Sequence, residues 1–121
     1  MRSSGERAGS GLEIEQGSLV VIHLINPTEK FWGVLQDLGV AGVTLRGINL
    51  SSFDDWMSQA VRGKEQTLGL STMFVPLFRV ERVFLDETVG EVESYQQRFR
   101  RRVGIAVEHY LEGGASDEVP S

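Results

Sequence analysis

The chain has 121 residues and no cysteine, which excludes disulfides, thiolate metal sites and thiol nucleophiles. Its formal net charge of −5 and isoelectric point near 5.0 mean that long-range attraction to a polyanion cannot rest on total charge. A chain of this length makes one ordinary domain that buries roughly two thirds of its unfolded surface, and no apolar run approaches the roughly 20 residues a membrane-spanning helix needs.

Met1-Arg2-Ser3-Ser4-Gly5-Glu6-Arg7 begins basic but leads into no apolar segment, so a secretory signal is not expected and a cytoplasmic protein is. Residues 1–11 are Ser, Gly and charge with nothing to bury, and they read as a disordered arm; residues 113–121 read as a tail of the same kind. A single domain is expected over residues 12–112.

Residues 18–25 are apolar on both parities and β-branched, the pattern of a strand covered on both sides. Asn26 and Pro27 end it. Residues 31–38 resume as a second strand, with Trp32 and Val34 on one face and Phe31 and Leu35 on the other. Gly33 inside that strand predicts a sharp bend, a bulge or close approach by another backbone. Residues 39–42 turn the chain into a third strand, residues 43–48.

A helix is predicted over residues 52–62. Ser51 or Ser52 can cap it, Asp54 and Asp55 put negative charge at its positive end, and Gly63 closes it. Phe53, Trp56, Met57, Ala60 and Val61 form one apolar stripe, and Trp56 reads as a core anchor. Residues 64–69 are a polar connection. Residues 72–75 form a fourth strand stopped by Pro76, and residues 80–85 a fifth. From Glu91 the spacing of Val92, Tyr95, Phe99, Val103, Ala106 and Tyr110 is helical, with Gly104 a costly interruption of about 1 kcal/mol.

This order predicts a mainly β, α+β architecture: a small, strongly bent, five-stranded antiparallel barrel with one helix after the third strand and one at the C-terminus. Gly33 and Pro76 supply the bends, while Trp32, Phe53, Trp56 and Phe99 anchor the packing. Val20-x-Ile22-x-Leu24, Gly33-x-Leu35 and Gly42-Val43-x-Leu45-x-Gly47 together resemble the first half of Sm-like barrels, over residues 18–48. The resemblance implies a shared fold. It does not extend to that family's RNA-binding element, because Asp37-Leu38-Gly39-Val40 has the acid without the asparagine. Pro76-Leu77-Phe78-Arg79 offers only an arginine where a basic element is expected, and the helix follows the third strand instead of preceding the first.

Catalytic motifs are not found. His23 and His109 have no ligand-type residue at i+4, no Gly-x-Ser-x-Gly elbow exists, and the glycines build no phosphate loop or dinucleotide fingerprint, so no cofactor is expected. Asp54-Asp55 and Asp86-Glu87 read as a helix start and a loop. The basic run of residues 98–102 stands out in an acidic chain. Arg98, Arg101 and Arg102 cluster on one helix face, and they read either as a phosphate contact or as a solvated face paired with Glu91, Glu93 and Glu108. Arg46, Arg79 and Arg82 extend the patch if they share its face. Short barrels leave edge strands that invite another copy, so the expectation is a non-catalytic scaffold acting through self-assembly or a protein partner. A nucleic-acid module built on the arginines is the alternative.

Overall fold

The computed structural model describes residues 14–63 and 68–112. The arm, the tail and most of the 64–69 connection lie outside these residues. Five strands are present, β1 Leu19–Leu24, β2 Glu29–Leu38, β3 Gly42–Asn49, β4 Ser71–Pro76 and β5 Val80–Leu85, with three helices, α1 Phe53–Arg62, α2 Tyr95–Val103 and α3 Val107–Leu111. The strands form one antiparallel sheet in the order β4-β3-β2-β1-β5.

Period-2 alternation divides the apolar residues between the two faces of this sheet. Val20, Ile22 and Leu24 of β1 point to one face, together with Leu35, Val43, Leu45 and Val75. Val80, Val83 and Leu85 of β5 and Met73 of β4 pack against the same cluster, so all five strands converge on it. Leu19, Val21, Trp32 and Ile48 point to the opposite face and meet Phe53, Trp56, Met57, Phe99 and Val107 from the helices. β1 is apolar on both parities because both of its faces are covered.

The sheet curls tightly. Gly33 of β2 stands opposite Gly47 of β3, and a Cβ at Gly33 would overlap Arg46 O and Gly47 Cα. The two backbones therefore approach more closely than any side chain would allow. Leu77–Arg79 forms a 3-10 turn that links the two edge strands directly. Leu77 N–H donates to Ala41 O at 3.0 Å, and Ile25 N–H donates to Arg79 O at 2.8 Å. One turn thus touches the β2–β3 hairpin and the end of β1, drawing the two sheet edges toward each other. Among the described residues β4 and β5 are not paired with one another, so the strongly bent sheet expected from sequence does not close into a barrel.

The strands fill the inside of the curl with their own side chains. Trp56 is a core anchor, as its place in the stripe predicts, and the core it anchors is the one between the outer face of the sheet and the helices. There Trp56 lies 5.7 Å from Trp32 and 5.3 Å from Phe99, ring centre to ring centre. Val61, expected in the stripe, is exposed, and Gln59 is buried in its place. Gln59 holds both backbone groups of Leu68, accepting from its N–H and donating to its carbonyl at 3.1 Å each, and this satisfies its amide.

Other boundaries move for local reasons. Asn49 caps the 3-10 turn Leu50–Ser52 by accepting from Ser51 N–H, while Ser52 makes no side-chain cap to α1. Pro76 is the last residue of β4 and does not stop the strand before itself. The single C-terminal helix is two. Ser94 caps α2 by accepting from Gln97 N–H, so the helix starts four residues after Glu91 and leaves Val92 exposed. Gly104 at φ 98° ends it in the left-handed conformation, which costs glycine little.

Candidate functional site

The arginines come first, because they were the anomaly of the sequence. Arg98 donates to Asp54 of α1 at 2.7 Å, and its guanidinium lies over the Tyr95 ring at 5.1 Å and the Phe53 ring at 5.9 Å. Arg101 grips Glu93 with two hydrogen bonds of 2.8 Å, a fork that holds Glu93 below the usual carboxylate range. Arg102 donates to Ser58 of α1 at 2.8 Å. All three are engaged within the chain, two by acids and one by a hydroxyl. The partners are Asp54 and Glu93; of the three acids expected from sequence, only Glu93 takes part.

Arg79, Arg82 and Arg46 do not join them. Arg79 fastens the 3-10 corner, donating to Ile25 O at 2.9 Å, Pro27 O at 2.7 Å and Glu29 Oε1 at 2.9 Å. Arg46 is exposed on β3 and lines a cleft together with Glu108 and Glu112 of the α3 region. Arg82 lies on β5, 3.7 Å from Glu81 and over the ring of Phe84 at 5.8 Å. The six residues are spread over a corner, two strands and a helix, and they form no single patch.

The sheet edges are the second candidate. β4 and β5 each have six residues, and each is paired on one side only. β4 reads Ser-Thr-Met-Phe-Val-Pro and carries no charge. Large apolar side chains are exposed beside it: Phe74 at 56 %, Leu77 at 45 % and Phe78 at 81 %, with Val40 of the facing hairpin. On the other edge Phe84 is 41 % exposed.

A third feature is a cleft of about 260 Å³ between β5 and the start of α2, lined by Val21, His23, Lys30, Phe84, Val89 and Val92. Behind it Asp86 is buried and fully employed. It accepts from the Trp32 indole at 3.0 Å and from the backbone N–H groups of Tyr95 and Gln96 at 2.8 and 2.9 Å. His23 meets Phe84 edge-on with ring centres 4.9 Å apart, and it makes no hydrogen bond to a described residue.

Comparison with protein-family models, curated proteins and solved structures found no match. The function is therefore argued from these surfaces alone. Among the described residues, no three His, Asp or Glu side chains stand close enough to hold a metal ion, and no helix is long and apolar enough to cross a membrane.

Sequence reasoning missed Asp86 as a capping residue, the exposure of Phe74 and Phe78, and the neighbours of His23. Each depends on contacts between residues far apart in the chain. The first had a faint signal, since an aspartate placed eight residues before a serine-capped helix sits within reach of its free N–H groups.

Proposed function

We propose that this chain is a non-catalytic small-barrel scaffold that works by joining its sheet edges to those of further copies. The observation that carries this reading is the pair of equal-length edge strands, each open on one side and flanked by exposed Phe74, Leu77 and Phe78 at one edge and Phe84 at the other.

Unpaired strand edges attract other strands, and soluble monomers blunt them with lysines, inward charges, bulges or covering loops. Among the described residues β4 has none of these along its length apart from the proline at its last position. Its unsatisfied N–H and C=O groups and the half-buried Met73 extend the sheet and its core to the limit of the chain. β5 presents the complementary situation, with half-buried Val83 and Leu85 on the inner face. Joining β4 of one copy to β5 of the next covers both edges with one kind of interface. Repeated head-to-tail, such an interface closes into a ring when the rotation permits.

The test is mass in solution. Light scattering on the wild-type protein is expected to return a multiple of 13.4 kDa. Phe74→Lys, which places a charge on the bare β4 edge, is expected to return the single-copy mass with an unchanged circular dichroism spectrum. A wild-type mass of one copy at every concentration, or an unaltered assembly in Phe74→Lys, overturns the reading.

A further inference from the structure

Lys30, His23 and Arg82 stand directly opposite one another on β2, β1 and β5. Directly opposite residues of antiparallel strands share a face, so the three form a row across the outer face, about 10 Å long at ordinary strand spacing. Lys30 is exposed and has no ion-pair or hydrogen-bond partner among the described residues, and Arg82 has only a loose contact to Glu81. Beside the row is Phe84, partly exposed, with Arg82 over its ring and His23 against its edge. The cleft of about 260 Å³, lined by Val21, Val89 and Val92 as well as by Asp86, Glu87 and Glu93, opens next to it.

We infer that this row and cleft form a binding site for a nucleoside monophosphate, with the phosphate on Lys30 and Arg82 and the base against Phe84. Two cations that lack strong internal partners supply the charge a phosphate requires, and an exposed aromatic ring supplies a stacking surface that accepts any base. Of the acids nearby, Glu93 is held by Arg101 and Glu29 by Arg79, and Asp86 accepts from Trp32 and the α2 N–H groups. Glu87 at the rim and Glu81, 3.7 Å from Arg82, keep their negative charge toward the row. That remaining negative charge disfavours di- and triphosphates, which is why a single phosphate fits best. The nucleotide comes either free or as the end of a single strand, and both present the same chemistry. The site does not require the assembly proposed above, since Lys30, His23, Arg82 and Phe84 all belong to one copy; Phe84 is the residue that the two readings share.

The experiment is titration calorimetry at low salt with adenosine monophosphate, inorganic phosphate and a short single-stranded RNA. Wild type is compared with Lys30→Gln/Arg82→Gln and with Phe84→Leu, each first checked for an unchanged melting temperature. Adenosine monophosphate is expected to bind the wild type, and to bind the double variant about tenfold or more weakly. Phe84→Leu is expected to weaken adenosine monophosphate but not inorganic phosphate. RNA binding no tighter than that of adenosine monophosphate identifies the free nucleotide as the source; tighter RNA binding that is lost in the double variant identifies the strand. Absence of binding by all three probes overturns the inference, as does binding that both variants retain. The Phe74→Lys variant is titrated as well. Retained nucleotide binding in that variant separates this site from the assembly, whatever its mass proves to be.

Discussion

The indole N–H of Trp32 donates to the buried carboxylate of Asp86 at 3.0 Å, across 54 residues of chain. The same carboxylate caps α2 through the N–H groups of Tyr95 and Gln96, and Gln96 returns a hydrogen bond to Asp86 O at 2.7 Å. One side chain thus ties the middle of β2, the end of β5 and the start of the helical layer. A carboxylate at a helix N-terminus also meets the positive end of the dipole.

Asp86→Ala leaves a buried indole N–H and two helix N–H groups without their acceptor. Each buried donor left unsatisfied costs about 1–3 kcal/mol, and the lost cap about 1 kcal/mol. The expected destabilisation is therefore about 3 kcal/mol or more in urea unfolding. Trp32→Phe in the Asp86→Ala background should cost less than Trp32→Phe alone, because the hydrogen bond is already gone. Additive effects of the two substitutions would mean that the bond contributes nothing.

Gly33 makes a sharper case. A β-carbon there meets the Arg46 carbonyl and Gly47 Cα, neither of which can swing aside as a side chain tip does. Gly33→Val should destabilise by about 2 kcal/mol or more. Gly39→Ala is the control, since its added carbon would meet only Asp37 Oδ2, at 3.5 Å. That substitution should fall within about 0.5 kcal/mol of wild type.

The strands, the α1 stripe and the role of Gly33 were legible because they rest on local signals: alternation, helical spacing and a missing side chain. Pro76 likewise announced a bend, which the 3-10 turn Leu77–Arg79 makes into a corner. Edge strands were expected of any short barrel, but which strands form them is set by whether β4 and β5 meet in space, and no local pattern decides that. The helix cap by Asp86 and the row at His23 were hidden for the same reason, each being made by registers between distant strands. The arginines were legible as a cluster and Glu93 as a partner, but Asp54 was not, since it lies 44 positions from Arg98.

That pairing leads to a third expectation. Arg98 lies half-buried between Asp54 and the rings of Tyr95 and Phe53, whereas Arg100 is exposed and has no partner among the described residues. Arg98→Ala removes an ion pair and a cation–π contact, and it should cost about 1 kcal/mol. Arg100→Ala should be neutral within error. Thermal unfolding of the two variants side by side checks the contrast, and equal shifts would mean that the packing of Arg98 contributes no stability.

His23 supplies the last. Its partial burial holds its pKa below the ordinary 6.5, and the positive charges of Lys30 on β2 and Arg82 on β5 act in the same direction, while Glu81 opposes them. Asp86, Glu87 and Glu93 also line the cleft that His23 faces. In the unfolded chain the imidazole titrates near 6.5. Between the folded value and 6.5 the unfolded state binds more protons, so stability falls as the pH drops through that window. The contribution is fully present above 6.5. Glu93 acts in a separate, lower window, because its folded value lies below its ordinary 4.5. His23→Gln should therefore flatten the stability profile between pH 7 and 5 and leave the acid limb below pH 4.5 unchanged. Denaturant unfolding at several pH values, with the imidazole proton shift of His23 followed by NMR, measures both. A His23 midpoint at or above 6.5 would remove the basis for this prediction.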